Sequence, residues 1–417
     1  MPVSAAAFNP TAAHDGYPRR FIAMMVFVLG TLAATAPLAT DLYLPAFPNM
    51  AEALGSTEKH IQLTLTSMMV GLAIGQAVIG PLSDRFGRRV PLLIGMGAFT
   101  LTALACAVAT TADQLIVIRF LQGLSGAAGM VISRAVIRDH FVGDDMTRFT
   151  AKMMFITMLA PMLGPIIGAQ LIIVAPWPIV FVFMAIMAAM AMGLVWRYLP
   201  ESLPAERRQA PSGREFALTL GRLVRDPRFI APTLVVCLNF SMLFTYVSTF
   251  SFISQNEMGA SAGMYSAVFG IGTLALLVGN QVNMVLIRRV ESNGRMVLGL
   301  VVAMTGVAWI AGVQLLGVDN LVSVTIGIGV MMFGCGVIFP NAGAAAMSSQ
   351  RPQVAGTASA FMGSLQMAAG GALPALATLG GVSLTNMTVG IVVYGLGTTT
   401  AVLATIRIYR KRPLAAV

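Results

Sequence analysis

The sequence predicts an all-α polytopic membrane protein with twelve transmembrane helices in two six-helix halves. Three observations carry that reading. Only 10% of the 417 residues are charged, against about 25% in a soluble domain, too few to cover a water-facing surface. The mean hydropathy is +0.82. The apolar residues also come as long runs, among them Phe21 to Leu38, Val90 to Ala109, Leu171 to Leu194, Leu298 to Leu316 and Met387 to Ile406. Each approaches or passes the ~20 apolar residues that cross the hydrocarbon core as a helix.

Taken in order, a polar tail over 1–20 precedes spans at 21–48, 61–82, 90–110, 113–138, 149–174 and 177–198. The long polar stretch 199–228, containing ESLPAERRQAPSGRE, reads as a linker. The second half, 229–408, holds spans at 229–255, 262–287, 296–316, 320–346, 355–380 and 385–407, followed by a tail at 409–417. The first 18 residues lack the charged start, short apolar core and cleavage site of a signal peptide, so span 1 is expected to remain. Orientation follows the basic residues, which gather in cytoplasmic loops. With both termini inside, every cluster from Arg19 and Arg20 to the RIYRKR tail falls inside. Lys59 is left outside and Arg119 well within the membrane. The net charge of +10 therefore concerns topology and anionic lipid, and no nucleic-acid partner is expected.

Several chemistries drop out. Cys106, Cys237 and Cys335 lie in three different apolar spans without paired spacing, and His14, His60 and His140 lie in a tail or loops. No metal site, HExxH or phosphate loop is present, so neither cofactor nor enzymatic chemistry is expected. Uphill movement of a solute would have to be driven by an ion gradient.

A faint internal repeat crosses the linker. Leu54-Gly55 and Gly75-Gln76 recur 204 positions later as Met258-Gly259 and Gly279-Asn280. Transporters built from such repeats hold their sites at the repeat interface. Between spans 2 and 3 the turn GPLSDRFGRR crowds charge into ten positions: Gly80 and Pro81 end a helix, Gly87 permits a tight backbone, and Asp84 stands among Arg85, Arg88 and Arg89. Two readings fit the spacing, a capped positive-inside turn and a latch in which Asp84 shares a network with Arg88 and Asp139 and meets the N-terminus of another helix.

These residues carry a resemblance. GPLSDRFGRRVPLL resembles the signature loop of the major facilitator superfamily, and LIVIRFLQGLSGAAG its span-4 motif, with Arg119, Gln122 and Gly123 in the matching places. APMLGPIIGAQ resembles the span-5 motif of its proton-coupled exporters through Pro161, Gly164, Pro165 and Gly168, with Ala160 and Ala169 where glycines are usual. DLYLPAFP and FPNAGAAAM…AGTASAFMGSLQ are similar to the Bcr/CflA group of drug/proton antiporters, which includes bicyclomycin and phenicol exporters. The resemblance implies the major facilitator fold and a loop that steadies the outward-facing state by contacts with the start of span 11 near Ala355.

Within the spans, Asp41 is the one buried acid expected, and an intramembrane acid is a functional site by default. Its alternative is to reach interfacial water at the outer end of span 1. Arg119 is its expected partner, the alternative being a structural arginine satisfied by backbone carbonyls, and with Gln122, Gly123 and Gly126 it shares one helix face. Tyr43, Gln122, Asn239, Tyr246, Phe250, Phe339, Asn341 and Gln366 are candidates for the substrate cavity. The expectation is a monomeric, multi-pass exporter in a bacterial inner membrane, exchanging protons for a small amphipathic drug or metabolite. A proton-coupled importer or facilitator of a small metabolite is the competing reading.

Overall fold

A computed structural model describes residues 19–141, 143–208, 213–351 and 354–411. Twelve helices long and apolar enough to span a membrane are found among them. The first six are Ile22–Ala53, Glu58–Phe86, Arg89–Ala107, Ala112–His140, Arg148–Val174 and Pro178–Tyr198. Six more follow, Pro227–Glu257, Ala262–Leu286, Ser292–Leu315, Leu321–Ser348, Ala355–Ala377 and Leu384–Arg410. Each matches one expected span, and they are numbered 1 to 12 here. The first and last described residues lie at one end of the bundle, the terminal end; the other is the distal end. His14, the 1–18 part of the first tail, 209–212 of the linker and 412–417 of the last tail lie outside the described residues. Residues 19–20 and 409–411, expected as tail, are helical.

Helix ends overshoot the apolar runs because polar caps extend them. Thr57, Thr111 and Ser261 accept from the backbone N–H three residues on, opening spans 2, 4 and 8. Asn320 does the same for span 10. Exposed Ile94, Leu101, Val117, Ile173 and Val285 form the outer, lipid-type surface.

Small residues set the interior. Spans 2 and 4 cross where Gly71 and Gly123 press on each other's helix, at the Phe120 and Met68 carbonyls. A methyl group at either position would strike backbone, so only glycine permits this approach. Spans 8 and 10 repeat the device through Gly279 against the Phe333 carbonyl and Gly336 against that of Leu276. Span 7, buried along most of its length, lies at the centre.

The linker is more ordered than its polarity suggests. It contains a helix, Gly213–Arg225, whose Leu220 and Leu223 pack on Phe229, Ala346, Ala358 and Phe361 at the terminal end of the second half. Arg214, Leu218, Arg222 and Arg225 remain exposed.

Candidate functional site

Span 1 is broken where the site begins. Its first helix ends at Asp41; Leu42 and Tyr43 form a turn, Leu44–Ala46 one 3-10 turn, and a helix resumes over Phe47–Ala53. Pro45 and Pro48 lack the N–H groups that a continuous helix needs there. Carbonyls released by the break are satisfied from the other half: Ser251 Oγ donates to the Leu44 carbonyl at 2.5 Å and Gln255 Nε2 to that of Pro45 at 3.3 Å. Irregular backbone at membrane depth is tolerated only where protein covers it. Asp41 lies roughly 29 Å along the helix from Ile22 at 1.5 Å per residue, in the distal third. It is 5% exposed, so it does not sit in open interfacial water.

Arg119 is fully buried beside the break. Its Nη1 donates to Gln122 Oε1 at 2.7 Å and its Nη2 to the Ala39 carbonyl at 3.0 Å. Its guanidinium also stacks 4.1 Å from the Tyr43 ring centroid. The expected Asp41–Arg119 ion pair is not formed. Residues 39 and 41 point to nearly opposite faces of a helix, so the helix face that offers Arg119 a carbonyl turns the carboxyl away.

The base of the Asp41 side chain meets span 5 instead. A Cβ on Gly164 would stand 3.2 Å from that of Asp41, and one on Gly168 would collide with the Leu42 carbonyl. The two glycines thus bring the span-5 backbone against the acid and the turn after it. Pro161 and Pro165 lie inside this helix, and the Pro165 carbonyl accepts from Ser266 Oγ of span 8 at 2.8 Å. Ala160 and Ala169, where the motif usually has glycines, are buried without forcing the helix away.

Hydrogen bonds between the halves gather distally of Asp41. Gln62 joins spans 2, 7 and 11, donating to Ser248 Oγ at 3.0 Å and accepting from Thr378 Oγ1 at 2.7 Å. Lys59 donates to the Leu379 carbonyl, and Asn256 to Glu58. The distal end is therefore closed over the acid.

The charged turn forms a compact network at the terminal end. Arg88 donates from Nε to Asp139 Oδ2 at 2.9 Å, and from Nη1 to Asp84 Oδ1 at 2.5 Å and Ser83 Oγ at 2.7 Å. Burial opposes the charge on Arg88, but Asp139 first and Asp84 second more than offset it, so its pKa rises above the usual arginine value. Glu201 of the linker accepts the backbone N–H of Arg88 at 2.7 Å and of Arg89 at 3.2 Å, capping span 3. Ser202 Oγ donates to Asp139. Gly87 takes φ +88°, and its missing side chain leaves room for the Glu201 carboxylate. Arg85 stays outside this network, over the Phe86 ring, and Gly80 faces Val131 of span 4. Every partner of Asp84, Arg88 and Asp139 lies in the first half or its linker. The approach to the start of span 11 comes instead from Arg138, whose Nη1 would stand 3.4 Å from a Cβ on Gly356.

A protein-family model described as the Major Facilitator Superfamily matches residues 29–375. The chain belongs to this superfamily. An uncharacterized MFS-type transporter of Bacillus subtilis, YdgK, is 34% identical over 83% of this chain and 86% of its own length. A bicyclomycin resistance protein homolog of Haemophilus influenzae is 28% identical over 85% and 88%. Among solved structures, a bacterial homolog of the human lysosomal transporter Spinster, inward-facing and unoccupied, superposes with a TM-score of 0.76 at 12% identity over 96% of this chain and all of that one.

The remaining site residues divide by position in this facilitator fold. Tyr43, Gln122, Asn239, Tyr246 and Phe250 are fully buried, while Phe339 and Gln366 are half-exposed. Tyr43 Oη bonds Thr64 at 3.1 Å. Asn341 is buried in a polar cluster: it donates to Asn283 Oδ1 at 2.7 Å and accepts from Ser292 Oγ, beside Arg295, which also donates to Asn283. One cation escaped the sequence reading. Arg134 of span 4 is exposed, and its hydrogen bond is to the Met130 carbonyl of its own helix. It lies fifteen residues after Arg119, near the same helix face, which was the available signal.

Proposed function

We propose that this facilitator is a proton-coupled exporter of small amphipathic drugs in a bacterial inner membrane, with both termini cytoplasmic and one chain as the working unit. One observation carries the reading: a lone acid, Asp41, is buried at a break in span 1, pressed against the small-residue face of span 5 beneath a distal closure shared by both halves. A carboxyl so placed is covered when the distal end is shut, and opening that end would wet it. Its protonation can then follow the direction in which the cavity faces, which proton–substrate exchange requires. The resistance name of the Haemophilus relative supports a drug as the exported species.

The cycle is alternating access. With the distal end open, Asp41 takes a proton from outside. With it closed, the proton leaves toward the cytoplasm as substrate binds, and the loaded carrier reopens outward. One charge crossing about 100 mV supplies ~2.3 kcal/mol, enough for a roughly 40- to 50-fold gradient of a neutral drug at 1.4 kcal/mol per tenfold. No bond to substrate is made or broken.

The test compares wild type with Asp41→Asn in a pump-deficient bacterial host against chloramphenicol, florfenicol, bicyclomycin and a cationic dye, at matched expression. The exporter reading expects protection by wild type against some of these compounds and none by the variant. Equal protection by both removes Asp41 from coupling. If neither protects, uptake in inverted vesicles under an imposed proton gradient separates an importer of a metabolite from an exporter of another drug.

A further inference from the structure

Two tyrosine hydroxyls in the second half stand buried without a hydrogen-bond partner: Tyr246 of span 7 and Tyr265 of span 8. An unmet polar group in a dry membrane interior is costly, and such a group in a working protein points to a partner met during its cycle. For Tyr265 the neighbouring geometry names one. Its chain neighbour Ser266 is hydrogen-bonded to the Pro165 carbonyl at 2.8 Å, and the residue before Pro165, Gly164, packs on Asp41. A single turn of span 5 therefore touches Asp41 on one side and the helix of Tyr265 on the other. The Tyr265 hydroxyl lies within electrostatic reach of Tyr246 first and of the Asp41 carboxyl second.

The other groups around the acid are already engaged or cannot reach it in this way. From span 4, Arg119 is held by Gln122 and the Ala39 carbonyl. From span 1, Thr40 is the side chain already in hydrogen-bond contact with the carboxyl and also donates to the Pro37 carbonyl at 2.6 Å; Tyr43 is bonded to Thr64, with the Cys106 thiol of span 3 on the Tyr43 side. Spans 5 and 6 bring Gly164 and Phe181, neither of which titrates. Tyr246 is free but stacks on Phe250 and Phe269 and sits in span 7. Tyr265 is packed by Phe250 and Phe269 at ring-centroid distances of 6.4 and 6.0 Å, which fixes its ring and leaves the hydroxyl to turn.

We propose that Tyr265 is a positioning residue for Asp41: with the distal end closed, its hydroxyl donates to the ionised carboxyl and ties the second half to the first. The inference rests on the proton-coupled exporter reading and adds the element that keeps exchange obligatory. A carrier that has released its proton and holds no drug must not reopen distally, because that return would let protons run inward with nothing exported. An ionised carboxylate is a much stronger acceptor than a protonated one, so the tie is strong in the empty, deprotonated carrier. It is weak once Asp41 holds a proton, and substrate entering from the terminal side must break it.

The chain reconstituted in liposomes with a pH-reporting dye, under an imposed pH gradient and without drug, tests this directly. Tyr265→Phe removes one oxygen that has no partner, so folding is preserved. It is expected to raise the drug-free proton leak about tenfold over wild type, the factor of one hydrogen bond to a charged group. Asp41→Asn is expected to be silent, and so is the double variant. In infrared difference spectra, the carboxylate band that Asp41→Asn removes is expected to shift in Tyr265→Phe. A leak that persists in the double variant, or an unshifted band, would overturn the tie. So would a Tyr265→Phe leak equal to wild type while Asp41→Asn still abolishes proton-driven chloramphenicol export; that outcome leaves the exporter reading standing. Proton-driven export that survives Asp41→Asn would remove the exporter reading itself, and the tie with it.

Discussion

Two glycines of span 5, one turn apart, make unequal contacts with the break in span 1, and alanine at each should separate packing from chemistry. At Gly168 an added methyl meets the Leu42 carbonyl oxygen, with the carbonyl carbon at 3.0 Å and Pro45 Cδ at 3.5 Å. These are backbone and ring atoms of a turn fixed by Pro45, so neither can swing aside and the two helices must part. Overpacking costs about 1–3 kcal/mol, and an immovable neighbour places Gly168→Ala at the upper end. Alanine returns about 1 kcal/mol of helix propensity, which leaves a net loss of about 2 kcal/mol. At Gly164 the nearest atoms are Asp41 Cβ at 3.2 Å and Leu42 N at 3.3 Å. A few tenths of an ångström relieve both, so the cost is about 1 kcal/mol and propensity cancels it. Thermal unfolding of the detergent-purified variants should therefore show Gly168→Ala clearly less stable and Gly164→Ala close to wild type. Gly164→Ala should nevertheless transport poorly, because its methyl lies against the acid. If Gly168→Ala is as stable as wild type, or Gly164→Ala is the more damaged of the two, the packing assigned to span 5 is wrong.

Two further outcomes follow from the distal closure and the linker. Gln62→Leu removes hydrogen bonds to Ser248 and Thr378, worth about 1 kcal/mol each. The distal-open population should rise by more than tenfold, read as longer distances between spin labels at Glu52 and Leu379; an unchanged distribution would show that the closure does not depend on Gln62. Glu201→Ala leaves the N–H groups of Arg88 and Arg89 uncapped at a cost of about 1–2 kcal/mol, and the half-exposed Arg208 contact at 3.9 Å adds little. Hydrogen exchange at those two amides should accelerate roughly tenfold or more while the core of span 3 stays protected, and equal exchange would refute the cap.

The fold was legible because lipid imposes a length on every apolar run, and polar turns separate all twelve. What escaped lay in geometry that hydropathy does not encode. The linker helix buries Leu220 and Leu223 within a polar stretch, where apolar spacing was the only clue. Glu201 acts on backbone N–H groups, and such partners leave no mark in sequence. Asn341 lies on a helix apolar on every side, so nothing indicated which way it points. Charge alone favours an Asp41–Arg119 pairing over an arginine satisfied by backbone carbonyls. The break in span 1 decides otherwise, by presenting Arg119 with a carbonyl and a tyrosine ring and turning the acid toward Gly164.

The internal repeat acquires physical content at the same level. Gly55 and Gly259, 204 positions apart, both take left-handed backbone at φ +56° and +67°, and each lies in the turn just before the capped helix that follows. Gly75 and Gly279, at the same offset, press on carbonyls of spans 4 and 10, those of Leu124 and Phe333. Beyond them the offset changes. Arg88 corresponds to Arg295, 207 positions on, because Gly87-Arg88 aligns with Gly294-Arg295. Each of these arginines reaches back to the end of the preceding helix, Arg88 to Asp84 and Arg295 to Asn283. A residue near the end of the fourth helix of each half completes the set: Asp139 bonds Arg88 directly, and Asn341 bonds Asn283. In the second half two amides, Asn283 and Asn341, gather beside Arg295 where two carboxylates hold Arg88, although they do not occupy the offset positions of Asp84 and Asp139. Charge-assisted hydrogen bonds are roughly twice as strong as neutral ones, so the two clusters do not brace their halves equally at the terminal end. The charged one also fastens the linker through Ser202 and Glu201.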